Sequence, residues 1–416
     1  MRIQASIPGY RQVEINLKPG ASVSDFKEAA CRKLGIEPEL TKLLLKGKRL
    51  AENSPVSKLK SAKAPVVLDY LWARQLLAWG AQGQEMLRTA TVLLAGAGAI
   101  GNEVAKNLAM LGVRKILIAD RDRVEMSNVS RMIFFHPRDL GKNKAEVLAK
   151  NIHAKYPYVE TSAYRGELEN MPLKLYLDSR VVLCGLDNVI SRIFLTQICR
   201  KYFIPLVDAG IIGLTGRVQT YIPPNDTCPI CLFPPNQYSN IVGLRNPCEG
   251  PPEQQTVPSF ATSISFVSSI LAQETVKIIL GLAEYQATKR WPERSGQPLR
   301  SILFVDLKNN RYTPMNVERN ARCIVCGKDG TARDTAHQSE LPLKALRRQD
   351  QRPEDTIRKA TACHDGTLIT YLENSRGTKR MEGYSSIIAR AKRGDYLRIF
   401  SEEKNGELHE SILRLV

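Results

Sequence analysis

Apolar residues along this chain change period several times, and each change marks an element. Ile3, Ala5 and Ile7 alternate with polar neighbours, as do Val13, Ile15 and Leu17. That is the period-two pattern of half-buried strands, with a turn at Pro8-Gly9 and a break at Pro19-Gly20. From Val23 to Leu34 the spacing becomes helical, with Ser22 or Ser24 placed to cap the helix. Leu43 to Leu50 reads as strand, Gly-Lys turn and strand, and Val66 to Leu68 as a closing strand. Tyr70 to Leu87 reads as helix, turn and helix around Gly80 and Gly83. Strands and helices then alternate. Val92 to Ala95, Lys115 to Ala119, Val181 to Cys184, Ile204 to Val207, Gly216 to Ile222 and Ser301 to Leu307 read as strands. Ala99 to Leu111, Lys144 to Ile152 and Thr262 to Gly281 read as helices. Such alternation predicts an α/β domain built on a parallel sheet.

After Gly330 the pattern fades. Residues 331–355 are polar and read as a linker with a short helix near Leu341 to Leu346. Thr367 to Leu372, Tyr396 to Phe400 and Ile412 to Val416 read as strands, with a helix near Ser385 to Ala391. The expected organisation is a small β-α module over 1–68, an α/β domain over 69–330, the linker, and a small β-rich domain over 356–416. Phe260 to Leu282 is the most apolar late segment, but Gln273, Glu274 and Lys277 interrupt it, so it predicts a buried helix and no membrane span. The N-terminus lacks the apolar core of a signal peptide, and a cytoplasmic location is expected.

The net charge of +18 favours acidic partners or phosphates. The basic residues are scattered and aromatics make up only 6%, which disfavours nucleic acid.

The first candidate chemistry is Gly96-Ala97-Gly98-Ala99-Ile100-Gly101, which follows a strand and opens a helix. Asp120 ends the next strand, about 20 residues further on, as the nucleotide-binding fingerprint requires. Gly96 suits the tight turn, Gly98 the close approach of a phosphate and Gly101 helix–strand packing, while Asp120 suits ribose hydroxyls. The fingerprint alone would fit NAD and a dehydrogenase. The polar and basic residues that follow, Asp122, Ser127, Asn128, Arg131, Lys142 and Lys144, suit a triphosphate better. Asp187, at the carboxyl end of a buried strand, is a candidate Mg²⁺ ligand or a helix cap.

The nine cysteines carry a second signal. Cys228-Pro-Ile-Cys231 and Cys323-Ile-Val-Cys326 are two C-x-x-C knuckles, the donor set of a structural Cys₄ zinc site. The alternative, two redox pairs, lacks a thioredoxin-like context. Cys31, Cys184, Cys199 and Cys363 sit in apolar or regular segments. Cys248 stands apart in the long polar loop between Leu232 and Pro258 and is the cysteine placed to be a nucleophile.

Together these motifs resemble the ubiquitin-activating enzyme family, which includes ThiF- and MoeB-type adenylyltransferases. The resemblance runs from Tyr70 to Gly330 and includes Arg74-Gln75, GAGAIG, Asp120-x-Asp122, Ser127-Asn128 with Arg131, Lys144, Asp187-Asn188 with Arg192, and both knuckles. The N-terminal β-β-α-β-β order and the stretch LLLKGKRL resemble ubiquitin, though without a terminal diglycine. The resemblance implies a Rossmann-like ATP-binding adenylation domain behind a β-grasp ubiquitin-like domain. It implies ATP on Gly96, Gly98, Gly101, Asp120, Asn128, Arg131 and Lys144, with Mg²⁺ on Asp187. It also implies a homodimer in which Arg74 reaches the neighbouring subunit's γ-phosphate. The partner would be a ubiquitin-like protein with a C-terminal diglycine, adenylated and then passed as a thioester from Cys248 to a conjugating enzyme. The C-terminal domain matches in position and size the ubiquitin-fold domain that recruits that enzyme. Two other readings are an adenylyltransferase for a sulfur carrier without thioester relay, and a non-catalytic scaffold.

Overall fold

The computed structural model describes residues 1–18, 20–59, 64–233, 258–332, 335–346, 353–361, 368–381, 390–402 and 408–416. They form two compact units. The first comprises Met1–Ala90, Ala109–Arg114 and Val276–Gln297, and the second Thr91–Leu108, Lys115–Thr275 and Pro298–Val416.

In the first unit, β1 (Arg2–Ile7), β2 (Arg11–Asn16), β3 (Thr41–Leu45), β4 (Lys48–Arg49) and β5 (Val66–Tyr70) form a sheet in the order β2-β1-β5-β3-β4. Only β1 and β5 run parallel. Helix α1 (Val23–Leu34) buries Phe26, Ala30 and Leu34. Ser22 and Asp25 form a capping box at its start, and Gly35 ends it in the left-handed region at φ 68°. This is the β-grasp arrangement, and it sits against α2 (Ala73–Thr89) through polar contacts. The Tyr10 hydroxyl accepts from Ala81 N–H at 3.1 Å. Arg88 pairs with Glu37 at 2.8 Å, and Tyr70 donates to Glu37 at 2.6 Å. Helix α2 is broken at Gly80, φ 69°, where the sequence predicts a turn between two helices.

The second unit holds an eight-stranded sheet. Five parallel strands are β6 (Thr91–Ala95), β7 (Lys115–Ala119), β8 (Glu160–Tyr164), β9 (Val181–Cys184) and β10 (Leu206–Ile212). Three antiparallel strands extend it: β11 (Thr215–Tyr221), β12 (Ile302–Asp306) and β13 (Arg311–Met315). The order is β13-β12-β11-β10-β9-β6-β7-β8. Chain direction across the sheet reverses at β6, which lies between β7 and β9. That makes the carboxyl end of β6 a topological switch point, where α/β sheets bind ligands. The crossovers are α3 (Ala99–Leu111), α5 (Lys144–Lys155), α6 (Leu173–Leu177) and α7 (Val189–Lys201), with α4 (Met126–Val129) in the loop after β7.

Helix α8 (Ala261–Thr288) is long and apolar enough to cross a membrane by length and composition, but 67% of its most apolar window is buried inside the protein. Its polar groups are satisfied there: Thr220 and Leu299 N–H donate to Glu274, and Ser263 donates to Gly213 O. It is a core helix.

A second sheet in this unit has the order β14-β18-β17-β15-β16, built from β14 (His337–Leu341), β15 (Leu368–Asn374), β16 (Gly377–Arg380), β17 (Tyr396–Glu402) and β18 (Leu408–Leu415). Among the described residues its parallel pair is β14 with β18, at the edge, whereas the parallel pair of the β-grasp sheet is flanked on both sides. Among the described residues this sheet does not repeat the N-terminal strand order. The stretch expected to be a linker contains β14, α9 (Leu343–Leu346) and the start of α10 (Pro353–Thr361). Polar HQSEL gives no alternating signal, because β14 is held by ladder bonds to β18 and buries only Leu341. The helix expected near Ser385 to Ala391 lies almost wholly outside the described residues.

This sheet is docked on the carboxyl end of α7. Tyr202 donates to Glu410 at 2.7 Å, Lys201 and Arg398 pair with the same carboxylate, and Gln338 donates to Tyr202 O at 2.6 Å. Tyr396 donates to Asp178 at 3.0 Å. Beneath these bonds, Tyr396 and Ile412 share one apolar core with Leu195, Cys199 and Tyr202.

Candidate active site

The glycine turn joins β6 to α3 as its sequence requires. Gly96 has φ +99°, and a Cβ there would lie 2.9 Å from Gly185 O. A Cβ on Gly101 would lie 2.1 Å from Gly96 O, so only glycine lets helix and strand close up. Gly98 is different: a Cβ there would meet nothing within 4 Å. It faces open space at a helix start, the position from which backbone N–H groups receive a phosphate. Asn102 braces the turn. It is fully buried, donates to Ala97 O and Gly98 O, and accepts from Phe134 N–H. That ties the glycine loop to the segment just beyond Arg131.

Asp120 closes the other side. Its carboxylate accepts from Ala97 N–H at 2.7 Å and from Asp122 N–H at 2.8 Å. Burial raises its pKa despite these two bonds. Lys144, the first residue of α5, pairs with Asp122 at 3.1 Å, and its backbone N–H donates to Asp122 O. Asn143 caps α5 and donates to Asp120 O. Glycine turn, Asp120, Asp122 and Lys144 thus form one connected group.

The remaining candidates are placed unequally. Asp187 is exposed at the carboxyl end of β9, and the cap of α7 is its neighbour Asn188, which accepts from Ser191 N–H at 2.7 Å. Of the two roles the sequence offers, the helix cap falls to Asn188, and Asp187 is left exposed beside it. Asn128 is buried, and its side chain accepts from Glu125 N–H at 2.9 Å within the capping box of α4. Arg131 donates to Ser127 O on the same turn. Arg74 is exposed on α2, in the first unit. Cys248 lies outside the described residues, as does most of its loop.

The four knuckle cysteines converge. Cys228, Cys231, Cys323 and Cys326 are buried, with sulfurs within 4.8 Å of one another. Cys228 lies 3.7 Å from both Cys231 and Cys323, and Cys231 lies 3.4 Å from Cys326. Hydrogen bonds from the other thiols hold Cys323 low, while bonds to Cys231 and Cys323 push Cys228 up. Four buried soft donors this close together suit one tetrahedral divalent cation and are compatible with zinc.

The sequence reading gave no role to two residues, Asp208 and Arg217, that the structure places beside this site. Asp208 is 1% exposed and pairs with both Arg192 and Arg217. Arg192 also donates to Leu186 O and Ala209 O, fixing the backbone just before Asp187. The cluster joins α7, β10 and β11, which no local motif links.

A model of the ThiF family matches residues 72–325, more than half of the chain, and a model of the ubiquitin family matches residues 5–68. The chain belongs to the ThiF family. It carries a ubiquitin-family domain in front of its adenylation domain, and the family makes it an adenylating, ATP-using enzyme. It is 30% identical over 269 residues to a sulfur carrier protein adenylyltransferase of Thermus thermophilus, covering 61% of this chain and 89% of that protein. It is 35% identical over 149 residues to the NEDD8-activating enzyme E1 catalytic subunit of Saccharomyces cerevisiae, covering 34% of this chain and 50% of that one. The SAMP-activating enzyme E1 of Haloferax volcanii is 28% identical over 60% of this chain and 85% of its own length. The chain spans only half the length of the yeast subunit.

Proposed function

We propose that this ThiF-family protein activates the C-terminal carboxylate of a ubiquitin-like protein by adenylation and then carries it as a thioester on Cys248 to a conjugating enzyme. The observation that carries the adenylation step is the open face of Gly98 beside the Asp120–Asp122–Lys144 group, with exposed Asp187 across the switch point. ATP seated there has its phosphates over the glycine turn and its ribose on Asp120. A carboxylate is already ionised at neutral pH, so attack on the α-phosphorus needs no general base. The carboxylate oxygen bonds to phosphorus, the bond to pyrophosphate breaks, and Lys144 and Arg131 offset the charge that leaves. Asp187 would hold Mg²⁺, which supplies further charge neutralisation. The four knuckle cysteines would hold Zn²⁺, which supplies structure rather than reactivity. Arg74 would complete the site of a second subunit in a homodimer.

The thioester step rests on sequence. Cys248 is the cysteine in the crossover loop, and fused domains at both ends suit an enzyme that must recruit partners. Attack of its thiolate on the acyl adenylate forms the thioester and releases AMP. The Thermus relative, matched over most of its length, favours a second reading in which a sulfur carrier is adenylated and no thioester forms. Incubation with ATP and a diglycine-ended ubiquitin-like protein, followed by a non-reducing gel, separates the two. The thioester reading predicts an adduct that thiol dissolves and that Cys248→Ala abolishes. An adenylate without any adduct favours the sulfur-carrier reading.

A further inference from the structure

Beyond the nucleotide group, the cluster at Asp208 has chemistry of its own. Strand β10 pairs with β9 only from Leu206 to Asp208. Ala209 to Ile212 run on past the carboxyl end of β9, paired with β11. This hairpin therefore flanks the ligand end of the sheet. Gly210 lies opposite Arg217, and Asp208 opposite Gln219. Strand alternation puts these four on one face, a polar stripe in a sheet that is otherwise mostly apolar.

Two guanidiniums share one carboxylate there. Arg192 is bonded to Asp208, Leu186 O and Ala209 O. Arg217 pairs with Asp208 at 2.7 Å, misaligned for a hydrogen bond, and its buried Nη1 has no hydrogen-bond partner. Gly210 lies beside both: a Cβ there would stand in van der Waals contact with them, 3.6 Å from Arg192 Nη2 and 3.7 Å from Arg217 Nε. The cluster carries one positive charge more than Asp208 offsets. The other carboxylate that acts on Arg192 is Asp187, which is exposed.

We propose that Arg217, backed by Arg192 over the bare backbone of Gly210, receives the C-terminal carboxylate of the acyl substrate. This rests on the adenylation reading above and deepens it. A carboxylate approaching a triphosphate is repelled, and a guanidinium that travels no distance offsets that repulsion. One carboxylate oxygen takes the Arg217 N–H groups. The other keeps its electron pair for the α-phosphorus, the new C–O–P link forms, and pyrophosphate leaves with the electrons of the broken P–O bond. Arg217 is then a specificity-determining residue, and Asp208 positions it.

The test measures binding of one diglycine-ended ubiquitin-like protein, as free acid and as C-terminal amide, to the full-length enzyme without ATP. Pyrophosphate exchange is measured in parallel. The wild type is expected to prefer the acid by at least about tenfold. In Arg217→Gln the preference falls to within about twofold, KM for the protein rises about tenfold and KM for ATP stays put, while Arg217→Lys recovers part of the preference. Gly210→Ala, which narrows the space with the ion pairs intact, lowers the preference likewise. Wild-type exchange with undiminished acid preference in both Arg217→Gln and Gly210→Ala overturns this site alone. No exchange by the wild type with any such protein overturns the adenylation reading and the site with it.

Discussion

Gly98 and Gly101 differ by one helical turn and by role. The side-chain direction of Gly98 is open, whereas that of Gly101 is blocked by Gly96 O at 2.1 Å. Gly101→Ala is therefore expected to cost about 1–3 kcal/mol of stability, the usual penalty for overpacking. Gly98→Ala is expected to leave the melting temperature unchanged and to raise KM for ATP at least about tenfold, because the methyl occupies the phosphate's approach. Thermal melts and exchange kinetics on the pair check both statements. Loss of stability in Gly98→Ala with normal ATP affinity would contradict the assignment. The glycines, Asp120 and Lys144 are legible in sequence because one strand-turn-helix fixes their geometry. Asp208 and Arg217 are not, since their ion pair forms only once β10 and β11 are paired. Asn128 was read as a phosphate contact, yet its side chain is also engaged in capping α4, a use that a motif match cannot show.

Among elements, α7 links the candidate site to the C-terminal sheet. Its N-terminal turn carries Arg192 beside Asp187, and its far end holds the C-terminal sheet through Tyr202, Lys201 and Glu410. Burial alone would raise the Glu410 carboxyl, but Arg398, Lys201 and Tyr202 together outweigh it and hold it below the usual range. A carboxyl lowered by folding stabilises above its unfolded pKa, and that contribution is lost as pH falls through the lowered value. Glu410→Gln should accordingly destabilise the protein at neutral pH by about 1–3 kcal/mol and flatten the acid limb of its stability curve. An unchanged acid limb in that variant would remove Glu410 from the account. The knuckle cysteines give a second test of element packing. The protein as purified should carry roughly one equivalent of zinc, and Cys231→Ser should release it and lower the melting temperature. A metal-free wild type of equal stability would contradict the site. Strands with alternating or continuous apolar residues were predictable from pattern. Strands β8, β13 and β14 were not, because ETSAY, RYTPM and HQSEL bury little and are held by ladder bonds.

The whole molecule places a ubiquitin-family domain, an adenylation domain and a β-rich domain on one chain. The C-terminal domain shares an apolar core with α7. A partner recruited there would meet a platform fixed on the adenylation domain. If Arg74 acts across a homodimer, Arg74→Ala and Lys144→Ala should each be nearly inactive alone. Mixing them under subunit exchange should restore about a quarter of the sites, those that draw Arg74 from one chain and Lys144 from the other. No recovery in a mixture shown to exchange subunits would place Arg74 outside the site. The central claim is that this chain adenylates the carboxylate of a ubiquitin-like protein. ATP–pyrophosphate exchange with diglycine-ended ubiquitin-like proteins tests it most directly. The account predicts exchange that depends on the protein substrate and on its free terminal carboxylate, and that Asp120→Ala reduces at limiting ATP. Exchange indifferent to the protein substrate, or absent in an enzyme that binds ATP, would contradict it.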